Sequence, residues 1–457
     1  MSAGCHSHMM GANRLAGLQR GWLRLTSSQL ARQVANNSSW LMGERLMTMF
    51  VNLGVGVLVA RYLGAEDFGV LSYVVALVAL LGFLSYLGLD STVTRRLAED
   101  PQDTACIMGT AFVLRMMGSL AGLVIASLWA FTQVQDSTTA AMIVVIAAGM
   151  LFQPAAVVDF FFQSQLKSRY PAIARTVASL LVSAINVVLV LAEASLLAFA
   201  IANALQQVFV AVAFLVTYRL KRADARTWHW QGAEARRLFK MSWPLFLSSA
   251  TGLIFLKIDQ VMLGEMVGEA EVGVYAVAAR LSEVWFFIPA ALTATFLPVL
   301  VRSRKESHAV YERRLQIMYD AMVWFGIALA SVITVIARPA VDLLYGEEYA
   351  AAGAMLQVSI WISPLMFAGG VLARWAVMEG QQMSALIRNS LAAGANIGLN
   401  LVLIPRYGGL GAAWATLLSY GFANYFGCLF YRPTWGQFRR ISLAFLAPIR
   451  VGRTLRA

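Results

Sequence analysis

Charge is scarce in this sequence. Only 13% of its 457 residues are Asp, Glu, Lys or Arg, 59% are hydrophobic, and mean hydropathy is +0.66. A soluble chain of this length cannot bury that much apolar surface, so the remaining solvent is a lipid bilayer. Cysteine is scarcer still. Cys5, Cys106 and Cys428 lie far apart with no CxxC pair, which argues against both a disulfide framework and a zinc site. His6 and His8 stand beside Cys5 near the terminus and read as a chance cluster. Residues 1–39 hold no continuous apolar stretch ahead of a small-residue cleavage site, so no removable signal peptide is expected and the first hydrophobic segment stays as a helix. Long polar loops are also missing, which leaves little room for a soluble catalytic domain.

What the sequence has in quantity is apolar runs of about twenty residues, the length of helix that spans a hydrocarbon core of about 30 Å. Such runs predict an all-α polytopic membrane protein with twelve helices near 40–60, 69–89, 104–130, 139–163, 171–191, 196–218, 241–263, 273–300, 315–337, 350–378, 389–404 and 409–431. With residue 1 in the cytoplasm, the inward segments carry 28 of the 36 Lys and Arg residues and the outward loops only Arg61, Arg338 and Arg406. Outward loops carry acids instead, among them Glu265, Glu269, Glu271, Asp342, Glu347 and Glu348. The net charge of +12 is therefore a positive-inside orientation signal with both termini cytoplasmic, and no nucleic-acid partner is expected. Arg14 to Val34 and Arg226 to Lys240 mix Leu and Trp with Arg, as interfacial elbows do, which would put Trp22, Trp228 and Trp230 at headgroup level.

The two halves echo each other. Gly64, Gly69 and Val70 correspond to Gly268, Gly273 and Val274 at one constant shift, and Pro154 with Asn186 to Pro364 with Asn396 at another. Six helices precede the basic segment 219–240 and six follow it, so the repeats are parallel and related by an axis along the membrane normal. The expected organisation is an N-terminal cytoplasmic segment with an interfacial helix (1–39), a six-helix lobe (40–218), a basic linker (219–240), a second lobe (241–431) and a basic cytoplasmic tail (432–457), with a central cavity between two pseudo-symmetric lobes. Gly118 with Gly122, and Gly394 with Gly398, have the spacing of close helix packing.

The segment GERLMTMFVNLGVGVLVARYLGAEDFGVLSYVVALVALLGFLSYLGLDSTVTRRLAED at 43–100 resembles the polysaccharide transporter, or O-antigen flippase, family of the multidrug/oligosaccharidyl-lipid/polysaccharide exporter superfamily. KIDQVMLG and VGVYAVAARLSE at 257–283, and more weakly PRYGGLGAAWATLLSY at 405–420, extend the likeness. The resemblance implies a V-shaped pair of lobes in the bacterial inner membrane. These would move undecaprenyl-diphosphate-linked oligosaccharide outward by alternating access, for O-antigen or exopolysaccharide assembly. Membrane lipids, and the polymerase and glycosyltransferases of that pathway, are the partners it implies.

Nine ionisable residues fall inside the predicted spans: Glu44, Arg45, Arg115, Asp159, Lys257, Asp259, Arg280, Glu283 and Arg374. At roughly 2.5–3.5 kcal/mol each at a lipid-facing helix centre, together they would cost over ~20 kcal/mol, more than a usual folding margin, so most must face a hydrated space or one another. Arg45, Arg115, Lys257, Arg280 and Arg374 are the candidates for gripping a diphosphate, because guanidinium forks match phosphate oxygens. Arg45 and Lys257 lead, one from each lobe. Arg280 has Glu283 three residues on, and that pair is expected to neutralise itself. Lys257 and Asp259 diverge by two residues and make poor partners. Glu44, Asp159 and Asp259 are the candidates for exchanging an ion. Polar stripes through Arg45, Thr48 and Asn52, through Ser179, Ser183 and Asn186, and through Asn389, Asn396 and Asn400 suit sugar hydroxyls, with Asn52, Asn186 and Asn396 foremost, and suit helix–helix adhesion equally.

No cofactor is expected. Export of two negative charges from an inside-negative cell is favoured by about 2.3 kcal/mol per charge per 100 mV, and vanishes as a driving force where cavity cations travel with them. A proton or sodium gradient then becomes the candidate source. Two rivals remain: a multidrug-type cation antiporter, whose cavity should be acidic or aromatic, and a membrane glycosyltransferase or polymerase, which needs a sizeable acid–base loop.

Overall fold

The computed structural model describes residues 5–221, 227–289, 292, 300, 302–304 and 306–454, with side chains over residues 40–450 of that set. Among the described residues, nine helices are long and apolar enough to cross a membrane, and Glu347–Ser359 with Ile362–Met378 make a tenth span bent by 43°. Two of the nine are doubled. The helix Cys5–Tyr86 breaks at Gly64 (φ 74°) and Gln382–Asn424 breaks at Gly408 (φ 55°). Both angles lie in the left-handed region that glycine adopts without a Cβ clash, so the chain can reverse there in a single residue. The predicted twelve spans are therefore present.

They are numbered here in chain order. Spans 1 and 2 are 40–63 and 65–86; span 3 is Thr104–Gln133; span 4 joins Ser137–Gly149, the 3-10 turn Met150–Ala156 and Val157–Ser164. Spans 5 to 9 are Arg169–Leu191, Leu196–Lys221, Gly232–Met266, the helix beginning Glu269–Glu283, and His308–Tyr345. Span 10 is the bent pair, and spans 11 and 12 are 382–407 and 409–424. The amphipathic helix Trp435–Phe445 then packs beneath span 9, where the Gln437 amide nitrogen donates to Tyr319 Oη and Trp324 Nε1 to the Ala444 carbonyl.

The repeat is visible in the backbone. Gly64 and Gly268 both take positive φ, at 74° and 126°. Pro154 sits in the 3-10 turn of span 4 and Pro364 just past the bend of span 10, because proline removes a ladder hydrogen bond at both places. A Cβ on Gly69 would lie 1.8 Å from the Glu269 carbonyl oxygen, and one on Gly273 would lie 2.0 Å from that of Ala65. Ala65 and Glu269 are related by the same shift as Gly69 and Gly273. Spans 2 and 8 thus cross at reciprocal positions, as two helices do when a pseudo-two-fold axis passes between them.

That crossing closes one end of the molecule, termed here the glycine end. Across it Tyr349 Oη donates to the Ala60 carbonyl at 2.8 Å, Arg61 Nη2 to the Leu343 carbonyl at 2.6 Å, and Tyr73 Oη to Glu265. Glu348 accepts from the Ala65 N–H at 2.6 Å, so a carboxylate from the second half caps the first turn of span 2. One continuous apolar core, including Phe68, Val74, Tyr275, Val277, Tyr345 and Tyr349, runs through both halves at this end. At the opposite, basic end the core divides. Leu97, Phe160 and Phe214 belong to one cluster and Tyr319, Phe367 and Trp375 to another.

Several expectations need correcting. The segment before residue 40 continues directly into span 1 in the helix Cys5–Tyr86, instead of forming a separate elbow; its side chains, with Trp22, His6 and His8, lie outside the described residues, as do Arg226 and most of 290–299. Trp228 also packs on the protein: its ring lies 5.6 Å from those of both Phe112 and Tyr218, tilted and edge-on, and Gln231 N–H donates to Thr110 at 3.2 Å, so the linker lies against span 3. Gly118 does mark a close approach, since a Cβ there would lie 1.9 Å from the Leu84 carbonyl oxygen. Gly394 and Gly398 do not, having open space around them, because span 11 packs through its asparagine face instead.

Candidate functional site

Beneath the closed glycine end lies a cavity of about 460 Å³. Span 1 supplies Asn52 and Gly56, span 5 Ser179, Ser183 and Asn186, span 6 Asn203 and Gln206, and span 8 Arg280 and Glu283. The helical spacing predicted for Ser179, Ser183 and Asn186 puts all three on this wall. Ser179 Oγ donates to Asn52 Oδ1 at 3.3 Å, and Asn186 Nδ2 returns to the Val182 carbonyl at 3.0 Å, which leaves the Asn186 oxygen free to accept. Asn203 and Gln206 were missed, although a polar pair three apart in an apolar span is a legible signal.

Arg280 crosses from the second half toward the first. Its guanidinium lies 4.8 Å over the Phe68 ring, and a Cβ on Gly56 would come within 3.0 Å of Nη1, so the glycine gives the side chain its room. Among the described residues it makes no ion pair or hydrogen bond. The expected neutralisation by Glu283 is wrong: Glu283 meets Lys257 instead, Nζ to Oε1 3.9 Å. Three residues apart on one helix the two side chains share a face, but Arg280 reaches outward over Phe68 while Glu283 turns to span 7. Among the described residues, Arg280 is thus the one cation lining the cavity, and it has no ion-pair partner.

The other predicted cations are elsewhere. Arg45 is exposed, a turn short of the cavity residue Met49, and does not line the cavity; Arg374 is half-buried and lines none of the described cavities. Arg115 is buried in an ion pair with Asp90 at 3.0 Å, its guanidinium 5.5 and 5.4 Å from the rings of Tyr86 and Phe160. Glu44 and Asp159 meet on Arg175, at 3.3 and 2.6 Å. Arg175, at the inward edge of the predicted span 171–191 and counted with the inward basic residues, lies in span 5, where those two acids need a counter-charge.

Asp259 of span 7 is buried in a nest of oxygen- and nitrogen-bearing side chains from three other spans. It accepts from Tyr275 Oη at 2.8 Å, from Asn400 Nδ2 at 2.5 Å and from Thr416 Oγ1, while Asn400 also donates to Asn396 Oδ1 at 3.3 Å. As expected, Lys257 is not its partner. Asn396 thus belongs to this nest, away from its repeat counterpart Asn186 in the cavity wall. A small adjoining space of about 30 Å³ touches Asp259, Thr416 and Glu283, so Glu283 borders both this nest and the central cavity.

A family model described as polysaccharide biosynthesis protein matches residues 34–304, more than half of the chain. The chain belongs to this family. As a polysaccharide biosynthesis family member it is 27% identical over 195 residues to the probable low-salt glycan biosynthesis flippase Agl15 of Haloferax volcanii, covering 41% of this chain and 40% of that protein. It is 21% identical over 188 residues to the capsular polysaccharide biosynthesis protein CapF of Staphylococcus aureus, 41% and 48% covered. The chain thus spans less than half the length of these relatives. The lipid II flippase MurJ in an inward closed conformation superposes with TM-score 0.69 at 13% identity, over 92% of this chain and 93% of that one. An inward-facing multidrug resistance MATE family transporter gives TM-score 0.62 at 17% identity, over 87% and 95%. These two show that the fold is the same.

Proposed function

We propose that this protein is a flippase carrying undecaprenyl-diphosphate-linked oligosaccharide from the cytoplasmic to the periplasmic leaflet of a bacterial inner membrane, for O-antigen or exopolysaccharide assembly. The observation that carries the reading is Arg280, without an ion pair among the described residues, in a cavity whose other polar lining is mostly amides and hydroxyls set among apolar side chains. A guanidinium fork offers parallel donors to phosphate, and Asn52, Ser183, Asn186, Asn203 and Gln206 offer the neutral donors and acceptors that sugar hydroxyls need. The names of the related glycan flippases point the same way.

With the basic end in the cytoplasm, the closed glycine end faces the periplasm and the cavity loads from inside. Rocking the two lobes about the crossing of spans 2 and 8 would turn the cavity outward. Asp259, with Tyr275, Asn396, Asn400 and Thr416, is the place we assign to the coupling ion, a proton or sodium. A multidrug-type cation antiporter fits less well, because the one carboxylate that lines the cavity among the described residues, Glu283, is engaged by Lys257 and the remaining charge there is positive. The test is flipping of a fluorescent lipid-diphosphate oligosaccharide in proteoliposomes, paired with surface polysaccharide in cells. Arg280→Ala should abolish both at normal membrane abundance. Intact polysaccharide with new drug sensitivity in a deletion strain would favour the antiporter.

A further inference from the structure

Spans 4 and 10, which the repeat makes counterparts, end in the same turn. Leu166 (φ 56°) and Gly380 (φ 69°) take the left-handed conformation, and the next N–H reaches back five residues: Lys167 to the Phe162 carbonyl at 2.9 Å, Gln381 to that of Ala376 at 2.6 Å. Aligned on these turns, Phe161, Gln165 and Lys167 stand where Trp375, Glu379 and Gln381 stand, and each trio lines a cavity at the basic end of its half, of about 330 Å³ in the first and 530 Å³ in the second.

The two copies have diverged in charge. In the second half the cations are neutralised in place: Arg304 pairs with Glu379 at 3.0 Å and Arg440 with Glu312. In the first half the carboxylate position is Gln165 and a lysine replaces the glutamine. Lys167 Nζ donates to Gln165 Oε1 at 3.1 Å, Lys221 Nζ sits 5.2 Å from the Tyr170 ring, and Arg169 covers the same ring at 4.6 Å and donates to its hydroxyl at 2.7 Å. No carboxylate among the described residues lines this cavity. Two cations, Lys167 and Lys221, line a polar cleft together with the rings of Phe161 and Phe162, at the level where a span ends, and Arg169 lies over the Tyr170 ring beside it.

We propose that this cleft binds the phosphate of an anionic membrane lipid headgroup, with Lys167 and Lys221 as its cations and Tyr170 at its base. Basic pockets between helices at the membrane surface suit such a group, and each cation contributes about a five-fold factor near the headgroup layer. The inference needs only that this end meets a headgroup layer, and is independent of what the chain transports.

The test is lipid retention and thermal stability of the full chain in neutral detergent, with phosphatidylglycerol, phosphatidylcholine or inorganic phosphate added. Wild type should retain phosphatidylglycerol over phosphatidylcholine, and K167A/K221A should bind it about thirty-fold more weakly. Gln165→Glu, which restores the carboxylate of the second half, should weaken binding without unfolding the protein, and Gln381→Ala should leave it unchanged. Equal affinity in K167A/K221A would overturn the proposal, and so would equal retention of phosphatidylcholine or an equal response to inorganic phosphate. Arg280→Ala should leave this binding intact, which separates its failure from that of the transport reading.

Discussion

Replacing Arg280 by alanine separates binding from folding more cleanly than any other change in the cavity. The guanidinium has a ring beneath it and a glycine beside it, but no carboxylate, so the unloaded protein loses a cation–π contact of about 1–2 kcal/mol and is relieved of a desolvated charge of comparable cost. The thermal midpoint should therefore stay within a few degrees of wild type. Binding responds quite differently. Two charge-assisted hydrogen bonds to a diphosphate, each about 1.5–3 kcal/mol, amount to at least ~3 kcal/mol, or a loss on the order of 100-fold. Arg280→Lys keeps the charge but not the fork and should fall between. The assay is proteoliposome flipping of the lipid-diphosphate oligosaccharide against substrate concentration, with the midpoint measured on the same preparations. Near-wild-type flipping by Arg280→Ala would refute the reasoning, and so would a collapse in stability, since that would mean the side chain has a structural partner.

Other outcomes follow from the same geometry. Asp259→Asn keeps the size of the buried side chain and its acceptor toward Asn400, and turns the other oxygen into an amide that the Tyr275 and Thr416 hydroxyls can accept from, but removes the charge, so stimulation of flipping by an imposed proton or sodium gradient should disappear while lipid-diphosphate binding persists; retained stimulation would exclude Asp259 as the coupling site. Gly69→Val puts a side chain into the Glu269 backbone, which cannot yield, so cysteines placed at the glycine end should label faster, and unchanged labelling would count against that end as the closed gate. Arg175→Ala strands Glu44 and Asp159 in a largely buried site, with an expected cost of about 3–5 kcal/mol and lowered membrane abundance, partly recovered by Arg175→Lys; normal abundance would show that the two acids are not held by this arginine.

The number of spans was legible because hydrocarbon thickness fixes run length, and the repeat because Gly64, Gly69 and Pro154 do backbone work that no other residue type does as cheaply. The serine and asparagine stripe of span 5 was legible for the same geometric reason. Pairings were not. Arg280, Glu283 and Lys257 sit within one stretch of sequence, and spacing favoured the neighbour three residues away, whereas the partner is settled by how spans 7 and 8 face each other. Arg175 stood just inside the edge of the predicted span 171–191, where hydropathy counts a basic residue with the adjoining loop. The ring neighbours of Trp228 were not legible either, because the aromatic pocket that receives the linker is assembled from Phe112 of span 3 and Tyr218 of span 6.

Glu283 explains why the second lobe carries its charges where it does. It touches the central cavity on one side and the space beside Asp259 on the other, and its carboxylate is the counter-ion of Lys257. The separation of 3.9 Å is a loose pair, and Coulomb attraction in a partly hydrated site depends steeply on what else is nearby. If the proposed transport reading holds, a cation entering the Asp259 nest would add positive charge next to Glu283 and weaken its hold on Lys257, and a diphosphate arriving at Arg280 would draw Lys257 toward the cavity. Each event would then favour the other, and by linkage the coupling would be reciprocal. On that proposal the lobes divide the work: the first would supply the neutral wall for sugar, and the second both the phosphate-binding cation and the ion-sensitive carboxylates, four residues of span 8 being enough to connect them.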